Sequence, residues 1–161
     1  MSDDTLVGLG VDVHRLEEDE DLLLAGVHLD YHKGLVGHSD ADVLTHAVCD
    51  ALLGAAGLGD IGEHFPDSDP QYEGASSLQL LRTVVERVAE RNLEVCNVDC
   101  TLLIQAPQVS PYKERMSSNL SEILAAPVNV KATTTEHLGF LGEGKGIAAQ
   151  AVASLRKNRS R

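Results

Sequence analysis

Along residues 93–105, Val95, Asn97, Asp99, Thr101 and Leu103 alternate with Cys96, Val98, Cys100, Leu102 and Ile104. This period of two predicts a strand with one well-buried face, ended by Ala106-Pro107. Residues 75–91 carry the other period. Leu78, Leu81, Val84, Val85 and Val88 make a helical apolar stripe, with Arg82, Glu86, Arg87 and Glu90 outside. Residues 5–14 read as a strand ending on Asp12-Val13-His14, and the acidic run 17–21 reads as a solvated loop. Leu22 to Leu24 and Val27 to Leu29 suggest a short second strand or hairpin arm around Ala25-Gly26, and residues 31–37 a connection. Ser39 is suited to cap a helix over about 40–56, with Asp42 in a variant capping box and Gly57 and Gly59 as the stop. Residues 60–70, punctuated by Pro66 and Pro70, read as a loop. A third helix fits between Pro111 and Pro127, a strand fits 128–134, and a turn or short helix fits 135–141. The Ala-rich segment 146–155 suits either a strand or a helix.

With no repeat, low-complexity tract or linker, these elements imply one α+β domain over residues 1–161. Its mixed β-sheet would carry about three helices packed on one face, with frayed tails at 1–4 and 156–161. A length of 161 residues and 43% hydrophobic content support a real core. With 3% aromatic residues and no Trp, that core must be Leu, Val, Ile and Ala.

The formal net charge of −12 argues against a nucleic-acid partner, which needs a basic footprint. A polyphosphate substrate would have to be met by metal ions, helix N-termini and backbone amides. No apolar run approaches membrane-spanning length. The first residues lack secretory or transit character, which fits a cytoplasmic protein, or a plastid-type one if a transit peptide was removed. Cys49, Cys96 and Cys100 read as reduced, buried thiols.

Asp12 and His14 share a strand face, and Asp42, His46 and Asp50 share a helix face. Asp12, His14 and His46 could therefore meet around one divalent ion. Two imidazoles and a carboxylate leave a fourth tetrahedral position open, as in catalytic zinc sites. The competing reading is a set of hydrogen-bonded structural histidines. His28, His32, His64 and His137 lie in polar surroundings and read as surface. His38-Ser39, at a predicted helix N-terminus, suits an anion or simple capping. Thr133, Thr134, Thr135 and Glu136 suit phosphate oxygens and a hard cation such as Mg²⁺, or a plain β-rich Thr run. The Gly-rich stretch 139–146 has neither a phosphate-loop Lys-Ser/Thr pair nor a dinucleotide fingerprint, and reads as a tight loop.

Six segments occur in order: Asp12-Val13-His14; His38-Ser39-Asp40-x-Asp42-x-x-x-His46; Asp60-Ile61-Gly62-x-x-Phe65-Pro66-Asp67-x-Asp69-Pro70; Asn97-Val98-Asp99; Gln105-Ala106-Pro107; and Asn129 through Phe140. This series resembles that of the 2-C-methyl-D-erythritol 2,4-cyclodiphosphate synthase family over about residues 7–155. The resemblance implies conversion of 4-diphosphocytidyl-2-C-methyl-D-erythritol 2-phosphate to the cyclic diphosphate and CMP, in the non-mevalonate isoprenoid pathway. It implies a homotrimer with sheets inward and active sites between subunits. It implies Zn²⁺ on Asp12, His14 and His46, and a second ion, Mg²⁺ or Mn²⁺, on Glu136. His38 and Thr134 match groups holding phosphate oxygens in the transition state. Asp60 and Gly62 match contacts to the methylerythritol unit, with Phe65, Asp67 and Asp69 in the same pocket. Ala106, Pro107, Gln108, Val109 and Ser110 match the cytosine-reading loop. Asp12, His14, Ser39, Thr133, Glu136 and Phe140 complete the implied substrate contacts. Two other readings remain open from the residues: a zinc-dependent phosphoesterase using metal-bound water, and a non-catalytic module stapled by metal.

Overall fold

The computed structural model describes residues 4–159. Five strands form a mixed sheet: β1 (Leu6–Glu18), β4 (Lys33–Val36), β5 (Leu93–Leu103), β6 (Val128–Thr133) and β7 (Gly146–Lys157). Their order is β4-β1-β7-β5-β6, antiparallel except for the β5–β6 pair. A separate hairpin pairs β2 (Leu22–Leu24) with β3 (Val27–Leu29) around Ala25-Gly26, the second of the two expected forms. Three full helices cover one sheet face: α1 (Val43–Ala55), α3 (Ser77–Glu90) and α4 (Lys113–Leu124). Two one-turn helices, α2 (Ile61–His64) and α5 (Gly139–Gly142), lie in connections. No described helix is long and apolar enough to cross a membrane.

The Ala-rich C-terminal segment is the central strand. β7 pairs with β1 on one side and β5 on the other, and this pairing overrides the helical preference of alanine. Its small side chains have a use. Ala149, Ala151 and Ala153 are buried on the face beneath α1. On the same face of β1, ideal Cβ atoms at Gly8 and Gly10 would lie 2.0 Å from the Ala51 carbonyl oxygen and 1.8 Å from that of Ala47. Helix α1 therefore rests on the strand backbone itself, a distance only glycine permits.

Several boundaries differ from expectation. β1 runs on through Glu17 and Glu18, which pair with Gly34 and Lys33, so the connection 31–37 contains an edge strand. Helix α1 starts at Val43, and its cap is Asp42 rather than Ser39. The loop 60–70 contains α2, capped by Asp60, and leads into a 3₁₀ turn at Pro70–Tyr72 capped by Asp69. Arg156 and Lys157 belong to β7, and Arg156 pairs with Glu94 at 2.6 Å, so the basic tail is shorter than its composition suggests. Residues 1–3 and 160–161 of the expected tails lie outside the described residues. Cys49 and Cys100 are buried, whereas Cys96, at a register shift in β5, is half-buried.

Odd positions of β1 point away from the helices. Val7 and Leu9 are 65% and 63% exposed, and Val11, Val13 and Val152 of β7 continue this apolar row.

Candidate functional site

Even positions of β1 point toward α1. Gly8 and Gly10 make the close approach, and Asp12 and His14 follow where the helix leaves the strand. His46 projects from the first turns of α1 onto the same spot. The Asp12 Oδ2 lies 2.8 Å from His14 Nε2 and 3.1 Å from His46 Nδ1, and the two nitrogens are 3.3 Å apart. Donors about 2.0–2.1 Å from one tetrahedral ion stand roughly 3.3 Å from each other.

The outer nitrogens say which lone pairs face inward. His14 Nδ1 donates to the Val36 carbonyl at 3.0 Å, leaving Nε2 bare. The Ser77 hydroxyl donates to Asp40 and accepts from His46 Nε2 at 2.8 Å, with Ser39 Oγ also 3.0 Å away, leaving Nδ1 bare. Two imidazole lone pairs and a carboxylate thus converge, an arrangement that calls for a cation at its centre. The residues fit a divalent metal, and these three form the metal-capable group among the described residues. Burial works to raise the Asp12 carboxyl, but when protons rather than a cation occupy those two inward lone pairs, hydrogen bonds from His14 and His46 outweigh it and bring it to about 2. Burial works to lower His14, and the Asp12 carboxylate beside it raises it instead.

The other acids of the α1 face have different partners. Asp42 is fully buried and accepts from the amides of Ala25, Gly26 and Thr45 and the Thr45 hydroxyl at 2.8–3.0 Å. It ties the hairpin turn to the helix start. Burial pushes its carboxyl up, against four bonds that favour the anion. Asp50 accepts from the Ile61 amide at 2.8 Å and so anchors α2. Its carboxyl is also raised, chiefly by burial.

The triad floors a cleft of about 340 Å³ lined also by His38, Ser39, Ile61, Gly62, Phe65, Pro66, Asp67, Tyr72 and Leu80. His38 Nε2 is buried and has no hydrogen-bond partner among the described residues. It lies upstream of the helix, not at its N-terminus. Asp60 is spent on capping α2, and Asp69 bonds Gln71. Neither lines the cleft.

The remaining candidates sit elsewhere. Residues 104–110 follow β5; Thr133 ends β6, and Thr134, Glu136 and Phe140 follow it. Both segments emerge at the same end of the sheet as His14. From β1 to β6 is three strand steps, roughly 14 Å. The two segments are joined by Ile104 N to Thr133 O at 2.9 Å and by His137 N to Gln105 Oε1 at 3.0 Å. Thr133, Thr134, Glu136, Gln108, Ser110 and Phe140 are exposed, Ala106 and Pro107 half-buried, and Val109 buried.

Ser77, Val36 and Tyr72 carried no sequence signal. Ser77 reaches His46 across 31 residues, and Val36 acts through its backbone.

The model of the YgbB family matches residues 5–156. The chain is 58% identical to the bifunctional enzyme IspD/IspF of Desulforudis audaxviator over 155 residues, which is 94% of this chain and 39% of that one. It is 52% identical to the 2-C-methyl-D-erythritol 2,4-cyclodiphosphate synthase of Alkaliphilus oremlandii over 94% of this chain and 98% of that one. The fold superposes on a CDP-bound structure of a 2C-methyl-D-erythritol-2,4-cyclodiphosphate synthase with a TM-score of 0.85 at 35% identity, covering 92% of this chain and 99% of that one.

Proposed function

This chain belongs to the YgbB family, and from that premise we propose that it is a 2-C-methyl-D-erythritol 2,4-cyclodiphosphate synthase acting on 4-diphosphocytidyl-2-C-methyl-D-erythritol 2-phosphate. The observation that carries this reading is the triad Asp12, His14 and His46 at the floor of a cleft beside the unpartnered His38 Nε2.

In this reaction an oxygen of the substrate's 2-phosphate attacks the β-phosphorus of its diphosphate. The new P–O bond closes the ring, and the bond to CMP breaks with its electron pair leaving on CMP. The attacking oxygen is already anionic near neutrality, so no strong general base is required. The two buried thiols have no part. Burial holds Cys49 well above its usual range and pushes Cys100 up to about 12, so both stay protonated. Catalysis then rests on orientation, which can supply several kcal/mol when both reacting groups lie in one folded substrate. His38 offers a buried donor to a phosphate oxygen, and Gly62, Phe65 and Asp67 wall the methylerythritol unit. Thr133 and Thr134 offer hydroxyls to the diphosphate, and residues 106–110 read the cytosine largely through their backbone. Zn²⁺ on Asp12, His14 and His46, with Mg²⁺ or Mn²⁺ on Glu136, would offset charge on the transferring phosphoryl group in a protein of net charge −12.

A homotrimer with sheets facing inward accounts for two features together. It would cover the apolar row of Val7, Leu9, Val11 and Val13, worth on the order of 1 kcal/mol per side chain. It would also bring the 104–110 and 133–136 segments of one subunit to the cleft of the next.

Phosphorus NMR of the protein with this substrate, zinc and magnesium tests the reading. Cyclic diphosphate and one CMP per turnover are expected. A linear phosphate carrying oxygen from labelled water would mark a phosphoesterase instead. Zinc binding without turnover or CMP binding would mark a non-catalytic module.

A further inference from the structure

We propose that Arg87, on α3, is a positioning residue that fixes the substrate wall of the cleft. The proposal rests on the reading of that cleft as the synthase site. Helix α2 is a single turn with no buried residue, too short to be stable alone. Yet it carries Gly62 and leads directly into Phe65 and Asp67, which line the cleft. Something else must hold it. Asp50 holds its first amide, at Ile61.

Arg87 holds its far end. Its Nη1 donates to His64 Nδ1, and His64 Nε2 donates to the Leu58 carbonyl at 2.7 Å. The His64 ring thus bridges the two ends of the segment 58–64. Because Nε2 is the donor, Nδ1 must be an acceptor, and it needs the N–H that Arg87 supplies. The same guanidinium lies 5.1 Å from the centroid of the Phe65 ring, within cation–π reach. The Phe65 ring meets Tyr72 edge-on at 5.3 Å and 82°. One side chain therefore sets two consecutive residues, and Phe65 and Tyr72 are both cleft residues. By helical periodicity Arg87 belongs with the solvent-facing residues Arg82, Glu86 and Glu90. The structure turns it inward, and among the described residues it meets an imidazole and an aromatic face rather than a carboxylate. Arg87 touches none of the triad donors, so its effect reaches the substrate only through His64 and Phe65.

The test is steady-state CMP release by Arg87→Met, Arg87→Lys, His64→Ala and the Arg87→Met/His64→Ala double variant, with zinc content measured on each. Met keeps the length and helix preference of the side chain but removes the donor and the charge. Losing one charge-assisted hydrogen bond and a cation–π contact should raise KM about tenfold in Arg87→Met. Zinc per chain should be unchanged and kcat should move by no more than about threefold. Lys restores a donor and a cation, so Arg87→Lys should recover part of the loss. The double variant should be little worse than Arg87→Met alone, because one residue acts through the other. A lowered melting temperature with unmoved KM in Arg87→Met, a loss confined to kcat, or additive effects in the double variant would each overturn the proposal. If Arg87→Met does not fold, His64→Ala carries the same KM prediction and Arg87→Lys a smaller rise in KM. Wild-type protein that loads zinc but releases no CMP would remove the synthase reading itself. Wild-type turnover with an unmoved KM in the variants removes only the role of Arg87.

Discussion

The two ends of the candidate site are built on opposite terms. At the β1–α1 end both imidazoles are held from behind. His14 is held by the Val36 carbonyl, and His46 by Ser77, which is itself held by Asp40. At the β5–β6 end the polar groups bond mostly to their own turn. Thr135 Oγ1 donates to the Leu138 carbonyl at 2.7 Å, and the Glu136 amide donates to Thr134 Oγ1 at 3.2 Å. The Glu136 side chain is exposed, with its backbone at φ 53°. The first end brings its three metal-capable side chains together within one chain. The second is shaped in advance but exposed. A metal centre needs its ligands fixed before the ion arrives, whereas a phosphate-binding turn can complete its contacts on the ligand.

The sharpest way to break this comparison is His46→Ala. Zinc loading should be lost and turnover should fall at least about a thousandfold, read by metal analysis and CMP release. Glu136→Ala should cost less, about a hundredfold in turnover, with full zinc loading. Equal zinc loss in both variants would make the two ends one metal site and end the distinction. Mixing the two inactive variants after unfolding sharpens it. If neighbouring subunits supply the two ends, random assembly should restore activity to about a quarter of wild type. No recovery would place both ends in one chain. Gly10→Ala should destabilise by about 1–3 kcal/mol and weaken zinc binding, because its Cβ collides with the α1 backbone; a denaturant titration and a zinc titration report the two effects. The smallest effect is expected for Ser77→Ala. Zinc affinity should fall about 10- to 100-fold through the freed His46 ring, with the fold intact by circular dichroism.

Much of the first end was legible. Asp12 and His14 share a face by strand geometry, and His46 follows from helical spacing. What failed there was the cap. Ser39 and Asp42 are both good N-cap residues, and the choice is made by a hairpin whose Ala25 and Gly26 amides converge on Asp42. Local propensity has no access to that long-range contact. For the same reason β4 reads as a connection from local sequence, since Lys33 and Gly34 become strand only by pairing with Glu18 and Glu17. β7 was ambiguous because its alanines serve close packing under α1 rather than any intrinsic strand preference. Ser77 and Arg87 were silent: a supporting hydroxyl and an inward-turned guanidinium look like ordinary helix residues until the segments they support are in place. The second end was legible only as a motif series, because its exposed side chains leave no hydrophobic pattern.

The contact of α1 with bare strand backbone at Gly8 and Gly10 has a consequence for the unfolded chain. Exchanging glycine for alanine is a common route to stability, because it narrows the range of conformations the denatured chain must give up. Here that route is closed at the strand that carries two of the three metal-capable residues. The protein keeps a supple denatured ensemble at that point and depends more on whatever binds the folded form alone. A metal held at the triad does so, adding stability in proportion to the logarithm of its concentration over its dissociation constant. The supply of that metal would then govern how long each molecule survives heat and proteolysis, apart from any effect on its turnover.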